Sequence, residues 1–153
     1  MTDVFREKLN QELKIHLERI FGSKVSEINI FDKEVNVDSI WVNRQFAGEY
    51  NPTHHHSGYL SYVFYPELPE IIRQEHKNQK GNSISRGLVQ FSSERTNDKI
   101  LLNPKKGDIF IFNAEHNHTV YPFYSDVERI SVAGNIYSVN IDGYGTLKSK
   151  SLS

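Results

Sequence analysis

Three short segments, far apart in the chain, carry side chains that suit a metal centre with an anion site beside it. They are His54-His55-His56, then His118, and then Arg129-Ile130-Ser131. Alternate side chains of an extended segment leave the same face, so His54 and His56 point together while His55 points away. Imidazole nitrogens bind iron, zinc and other first-row metals, and a guanidinium holds a carboxylate through two parallel hydrogen bonds. The segments therefore predict a nitrogen-ligated metal ion beside a bound anion.

The third imidazole follows an apolar run, Asp108 to Phe112, that is typical of a buried strand. His118 directly precedes a β-branched pair and can begin the next strand, whereas His116 has the same parity but lies on the preceding loop. We favour His118 as the ligand, because a side chain fixed at the start of a strand is better positioned than one on a loop. For residues 54 to 56, a solvated histidine cluster that binds nothing is the alternative interpretation.

Arg129 begins a stretch of alternating apolar and polar residues, and period two places Arg129, Ser131 and Asn135 on one face of a strand. An inward guanidinium needs an anion, because an unpaired buried charge is very costly. A keto diacid bound to the metal by one end would bring its far carboxylate to Arg129, and the Ser131 hydroxyl would add a hydrogen bond. The alternative is an ion pair with Glu128 or Asp126 at the surface.

The order and spacing of these segments resemble those of the 2-oxoglutarate and Fe(II)-dependent oxygenase superfamily. Within it, the chain is most similar to small oxygenases of phages and bacteria that are related to prolyl hydroxylases. The resemblance covers roughly residues 41 to 137. It is carried by five segments, namely Gly48 to His56, Leu60-Ser61, Gly107 to Phe112, His118 to Pro122 and Arg129 to Asn135.

The resemblance implies a ligand set for Fe(II). The histidine of the family's His-x-acid motif falls on His54, and the distal histidine falls on His118. The acid of that motif is replaced by His56, so the implied site has three neutral imidazoles and one negative charge fewer than most members have. Such a site is expected to bind iron less tightly, although three-histidine iron sites occur among related barrel dioxygenases.

The resemblance also implies how the cosubstrate binds and what reaction follows. Arg129 and Ser131 correspond to the pair that holds 2-oxoglutarate, and Asn135 lies on the same face of the predicted strand. A Tyr or Lys of relatives supplies a further hydrogen bond, for which Tyr62 is the candidate in this chain. The implied activity is hydroxylation of a substrate, coupled to oxidative decarboxylation of 2-oxoglutarate to succinate and CO2.

The elements that must position these residues are one helix followed by short strands. Apolar residues recur every three or four positions over residues 3–21, which predicts an amphipathic helix. Seven or eight short strands between about residues 28 and 141 favour an antiparallel sandwich or barrel, and the resemblance makes it a double-stranded β-helix, the jelly roll of cupins. The polar residues 70–87 predict a long loop, over the metal or on the surface. The Gly- and Ser-rich residues 143–153 predict a frayed tail.

The length of 153 residues fits one domain that spans the chain, and the composition excludes several classes of protein. Because the chain contains no Cys, disulfides, thiolate metal sites and cysteine nucleophiles are excluded. A net charge of −1, with acidic and basic residues interspersed, argues against a nucleic-acid partner.

Charged residues interrupt the apolar runs, so we expect no membrane association and a cytoplasmic location. The expected partner is a small-molecule substrate or a protein side chain, and the oligomeric state does not follow from the sequence.

Two other functions fit parts of this pattern. A cupin-like three-histidine dioxygenase or isomerase would use the metal without 2-oxoglutarate, and it has no use for an inward Arg129. A catalytically inactive jelly roll that binds a ligand would carry the histidines as remnants and would not bind iron stoichiometrically. The role of Arg129 and the binding of iron therefore separate both alternatives from the oxygenase.

Overall fold

The computed structural model describes residues 3–21, 35–80, 85–93, 96, 98–141 and 145–148. The helices in these ranges are α1 (Asp3–Phe21) and α2 (Glu70–Asn78). The strands are β1 (Val35–Gln45), β2 (Asn51–His54), β3 (Leu60–Glu67), β4 (Val89–Ser92), β5 (Lys99–Leu102), β6 (Ile109–Asn113), β7 (Asn117–Val120), β8 (Arg129–Ile141) and β9 (Gly145–Lys148). Neither helix in this part of the chain is long and apolar enough to cross a membrane.

The strands form two antiparallel sheets. The larger sheet has the order β1-β8-β3-β6, with β9 paired to β8, and the smaller sheet has the order β2-β7-β4-β5. The chain passes repeatedly from one sheet to the other, from β1 to β2, from β3 to β4 and from β7 to β8, as in a jelly roll. This architecture confirms the predicted mainly β, double-stranded β-helix with an N-terminal helix.

Helix α1 packs on one face of the larger sheet. Its residues Leu9, Leu13 and Leu17 are spaced four apart and are buried, as the apolar stripe of an amphipathic helix requires. They form a hydrophobic cluster with residues of β3, β6 and β8, namely Leu60, Tyr62, Ile109, Ile136 and Val139. The amphipathic helix predicted over residues 3–21 is therefore present, and its packing leaves the opposite face of β3 and β8 to line the interior.

The polar composition of residues 70–87 predicts a loop, and this prediction is wrong where helix α2 forms. Its one buried residue, Ile72, joins a second hydrophobic cluster, which also contains Tyr65, Leu68, Val89 and Phe123. The carboxylate of Glu75 accepts hydrogen bonds from the backbone N–H groups of Tyr124 and Ser125, at 2.9 Å each. A helix of nine residues is marginal alone, so these tertiary contacts stabilise it, and composition could not reveal them.

Strand β9 lies within residues 143–153, for which the composition predicts a frayed tail. Gly145 to Lys148 instead pair with β8 in an antiparallel register. A polar sequence does not exclude a strand, because an available neighbouring strand can satisfy its backbone hydrogen bonds. The predicted start of the barrel near residue 28 lies outside the described residues.

Candidate metal and anion site

A cavity of about 640 Å³ lies between the two sheets. Strands β1, β3 and β8 line it from the larger sheet, and strands β2, β4 and β7 line it from the smaller one. Its wall includes three imidazoles, several aromatic rings and one buried guanidinium. A concave site with an apolar wall and a few convergent polar groups is the usual form of a ligand-binding site.

The three imidazoles meet because β2 pairs with β7. His54 and His118 are direct cross-strand partners, and His56 follows β2 by two residues, so it has the same parity as His54. One ligand atom from each side chain lies within 4.8 Å of the others, and the Nε2 atoms of His56 and His118 are 3.3 Å apart. Two nitrogens bound to one metal at about 2.1 Å are roughly 3.0–3.4 Å apart. The group therefore has the spacing of a metal site.

In two of these histidines, hydrogen bonds to backbone carbonyls determine which ring nitrogen can bind a metal. The Nδ1–H of His54 donates to the carbonyl of Pro52 at 2.7 Å, and the Nδ1–H of His118 donates to the carbonyl of His116 at 3.2 Å. A carbonyl only accepts, so the proton is on Nδ1 and the lone pair is on Nε2. Asn51 Nδ2 is 3.4 Å from the Nε2 of His54, a long contact that a metal ion would replace. Such second hydrogen bonds orient metal-binding histidines in proteins.

Burial keeps two of the three imidazoles uncharged. The pKa of His118 is lowered to about 4, chiefly by desolvation. The hydrogen bond to the His116 carbonyl raises this pKa, and nearby His54, His56 and His55 lower it. Desolvation, followed by His54 and His55, also lowers the pKa of His56. Both rings are therefore neutral at pH 7, which is the form that binds a metal.

Aromatic rings enclose the cluster on its buried side. The rings of Phe91 and Phe112 have centroids 5.7 and 5.1 Å from that of His118. The ring of Trp41 lies 5.3 Å from that of His56. These contacts hold the imidazoles in fixed orientations and reduce the access of water.

The two remaining histidines of these segments lie outside the cluster. His55 is exposed, as its opposite parity predicts, and His116 is also exposed and contributes its backbone carbonyl instead of its ring. The structure therefore brings His118, and not His116, next to His54 and His56.

Arg129 is buried in the same cavity, with 2% of its surface exposed. Its Nη1–H donates to the Gly87 carbonyl at 2.8 Å, its Nε–H donates to Gln45 Oε1 at 3.0 Å, and its Nη2–H donates to the Tyr121 carbonyl at 3.4 Å. All three acceptors are uncharged. Among the described residues, Arg129 forms no ion pair, and Glu128, one of the alternative partners considered above, pairs with Arg44. Burial lowers the pKa of Arg129, and Tyr65 raises it, but a guanidinium stays protonated in proteins.

The other predicted cofactor-binding residues occupy different positions. Ser131 lines the cavity two residues beyond Arg129 on β8. Asn135 is buried and accepts a hydrogen bond from the Ser61 hydroxyl at 2.8 Å, and it is not one of the described residues that line the cavity. Tyr62 borders the cavity but packs in the cluster beneath α1, where a Cβ at Gly134 would lie 2.5 Å from its hydroxyl oxygen.

Tyr65 lines the cavity and was not predicted from the sequence. It is 2% exposed and lies close enough to Arg129 for the two groups to interact electrostatically. Burial raises the pKa of Tyr65 to about 12, with Arg129 lowering it and Asp108 raising it, so its hydroxyl keeps its proton. Parity along β3 places Tyr65 on the same strand face as Ser61. That this face is the one that carries Arg129 follows only from the pairing of Ser61 with Asn135 in the structure.

A family model described as "Putative 2OG-Fe(II) oxygenase" matches residues 39–135. This chain belongs to the 2OG-Fe(II) oxygenase family. The match covers β2, β7 and the first half of β8, so the histidine cluster and Arg129 lie within it. The superfamily predicted from the sequence is therefore confirmed, whereas the predicted phage origin finds no support in the comparisons.

Two solved structures are similar to this chain at low sequence identity. An oxidoreductase of the 2OG-Fe(II) oxygenase family from Burkholderia pseudomallei is 16% identical over 76% of this chain and 49% of its own, with a TM-score of 0.51. A prolyl-4-hydroxylase from Pseudomonas putida is 16% identical over 80% of this chain and 60% of its own, with a TM-score of 0.48. This chain therefore spans about half to three fifths of the length of these structures. No curated protein sequence matches it.

Proposed function

We propose that this oxygenase binds Fe(II) and 2-oxoglutarate and hydroxylates a substrate, while 2-oxoglutarate is converted to succinate and CO2. The observation that supports this most strongly is the buried cation of Arg129, which has only uncharged partners among the described residues. It lies in one cavity with three converging imidazoles. A buried guanidinium of this kind is stabilised by an anion, and a diacid that also reaches the metal supplies one.

His54, His56 and His118 would hold the iron through their ring nitrogens. In His54 and His118 the Nε2 atom is unprotonated, because Nδ1 carries the proton, and burial keeps His56 and His118 neutral. Once bound, the iron together with 2-oxoglutarate supplies the activation of dioxygen that hydroxylation requires. The protein supplies the ligand geometry and, through Phe91 and Phe112, a dry apolar wall.

Arg129 would bind the far carboxylate of 2-oxoglutarate. Ser131 follows it on the same face of β8, and Tyr65 stands beside it with a protonated hydroxyl. We therefore assign to Tyr65 the additional hydrogen bond for which Tyr62 was the sequence candidate. Charge-assisted hydrogen bonds from a fixed guanidinium orient the diacid as well as bind it.

A cupin-like three-histidine dioxygenase or isomerase is the second candidate function, and the ligand set is the observation that favours it. The described metal-binding group contains three imidazoles and no carboxylate. Such an enzyme would not need a diacid at Arg129, so the effect of 2-oxoglutarate separates the two functions. In either case the proposed substrate is a small molecule or a protein side chain.

The experiment that tests the proposal measures iron binding and succinate release. Protein loaded with Fe(II) under argon is exposed to oxygen with 2-oxoglutarate and without substrate, beside His118→Ala, Arg129→Ala and the matched control His116→Ala. We expect slow succinate release by the wild type and the control. Iron binding should be lost only in His118→Ala, whereas 2-oxoglutarate turnover should be lost in both His118→Ala and Arg129→Ala. Stoichiometric iron without any dependence on 2-oxoglutarate would favour the second candidate. Absence of iron binding would favour an inactive binding module.

A further inference from the structure

Gln45 lies directly opposite Arg129 in the β1–β8 register. Its side-chain oxygen Oε1 accepts hydrogen bonds from both Nε and Nη2 of Arg129. One oxygen therefore receives two donors from the same edge of the guanidinium, which is the edge that a carboxylate uses in paired recognition. In this arrangement an uncharged amide occupies a position suited to an anion.

The other acceptors of Arg129 are backbone atoms in fixed segments. The carbonyl of Gly87 belongs to a residue whose N–H donates to the Pro122 carbonyl at 2.8 Å. Gly87 also packs so closely on Ile72 that an added Cβ would lie 2.6 Å from its side chain. Gln45, by contrast, is a half-buried side chain that lines the cavity itself. Of the groups that hold Arg129, Gln45 is therefore the one that a carboxylate entering from the cavity can replace.

The same amide connects Arg129 to the turn formed by residues 46–49. Gln45 Nε2 donates to the carbonyl of Glu49 at 2.6 Å. The turn is closed by the Glu49 N–H, which donates to the Phe46 carbonyl at 3.2 Å, and it is tied to the Phe123 carbonyl by the Gly48 N–H at 2.7 Å. Gly48 and Glu49 line the cavity. A displacement of Gln45 therefore changes a hydrogen bond of the cavity wall.

We propose that Gln45 is an internal placeholder for the carboxylate of the cosubstrate. When the carboxylate binds, the Gln45 amide leaves Arg129, releases the Glu49 carbonyl and loosens the turn of residues 46–49. Cosubstrate binding is thereby communicated to the part of the cavity wall that Gly48 and Glu49 form. This inference rests on the proposed function, because it requires that 2-oxoglutarate binds at Arg129.

Replacement of Gln45 changes the affinity for 2-oxoglutarate in opposite directions. Gln45→Leu removes the competing acceptor, and we expect at least about fivefold tighter binding. Gln45→Glu places a permanent carboxylate on the same edge, and we expect at least about tenfold weaker binding. Calorimetric titration of Mn(II)-loaded protein under argon measures both affinities without turnover, and thermal unfolding checks that each variant is folded. A purely structural role of Gln45 would weaken binding in both variants and would overturn the proposal, as would affinities within about twofold of the wild type.

Hydrogen exchange of the turn gives a second test. Saturating 2-oxoglutarate should make the amides of Gly48 and Glu49 exchange several-fold faster in the wild type and leave them unchanged in Gln45→Leu. Unchanged exchange in a wild type that binds 2-oxoglutarate would overturn the coupling. If neither the wild type nor Gln45→Leu binds 2-oxoglutarate, and Arg129→Ala behaves identically, the proposed function itself fails. That result differs from one in which 2-oxoglutarate binds but the proposed role of Gln45 is contradicted.

Discussion

At the scale of single residues, two tyrosines of β3 show how one strand divides its side chains between core and cavity. Tyr62 packs under α1, whereas Tyr65 stands beside Arg129. We expect Tyr65→Phe to weaken 2-oxoglutarate binding by roughly three- to tenfold, because the lost hydroxyl donates one hydrogen bond to a charged group. Calorimetric titration of Mn(II)-loaded protein under argon measures the effect.

Tyr62→Phe is the matched control for this substitution. It removes the same atom from the same strand, on the side that packs under α1, so we expect 2-oxoglutarate affinity within about twofold of the wild type. Equal losses in the two variants would contradict the assignment of Tyr65 and would indicate that the strand as a whole affects the site.

His118 makes the stability of the metal-free protein depend on pH. Its pKa is about 4 in the folded protein and near the ordinary value of 6.5 in the unfolded chain. Between these values the unfolded state binds more protons, so the contribution of His118 to stability is lost as pH falls from about 6.5 to 4. Over this interval we expect wild type to lose about 1–3 kcal/mol more than His118→Asn, which does not titrate.

Urea unfolding of the two chelator-treated proteins at about pH 7 and about pH 5 measures this difference. Parallel losses of unfolding free energy in wild type and variant would show that the folded protein binds the His118 proton as readily as the unfolded chain. The burial of this imidazole would then not be the reason that it is neutral at pH 7.

At the scale of elements, α2 supports the anion site through Gly87. Ile72 of α2 packs on this glycine, whose carbonyl holds Arg129, and Gly87 has a φ of +70°. An alanine there would be strained in the left-handed region and would collide with Ile72. We expect Gly87→Ala to reduce the free energy of unfolding by about 2–4 kcal/mol and to weaken 2-oxoglutarate binding.

The effect of Gly87→Ala has two expected causes, backbone strain and collision with Ile72, and the substitution Gly48→Ala separates them. Gly48 also has a positive φ, +81°, but a Cβ there meets nothing within 4 Å. It should therefore show only the backbone cost, about 1 kcal/mol. Denaturant unfolding and 2-oxoglutarate titration of both variants distinguish the effects. If Gly87→Ala is no more destabilised than Gly48→Ala, α2 does not hold the Arg129 segment in place.

At the scale of the whole molecule, the sequence predicts those features that depend on residues close together in the chain. Alternation along β8 correctly places Arg129 and Ser131 on one face, and the parity of His54 and His56 correctly excludes His55 from the cluster. The jelly roll follows from the number and spacing of the strands, together with the family resemblance.

Information about contacts across strands is not local, and the sequence could not supply it. Side chains alternate between the two faces of β3, but this alternation does not reveal which face lines the cavity. The sequence therefore could not distinguish Tyr62 from Tyr65 as the residue beside Arg129, because that depends on the pairing with β8. For the same reason Gln45, the cross-strand partner of Arg129, was missed. Helix α2 was missed because it is polar and is stabilised by tertiary contacts of Ile72 and Glu75.

The two faces of the larger sheet predict that global stability and site chemistry can be changed separately. Leu13 of α1 is fully buried in the cluster with residues of β3, β6 and β8, and of the described members of this cluster Tyr62 alone also borders the cavity on the other face. Leu13→Ala should reduce the free energy of unfolding by about 2–5 kcal/mol through lost burial and a residual cavity, and the exposed neighbour Gln11→Ala should change it by less than about 0.5 kcal/mol. Urea unfolding measures both changes in stability.

In the folded Leu13→Ala protein, Mn(II) and 2-oxoglutarate should bind with affinities within about twofold of the wild type, because the altered contacts are on the opposite face of the sheet. A parallel loss of binding would show that α1 determines the positions of β3 and β8, and hence the site itself.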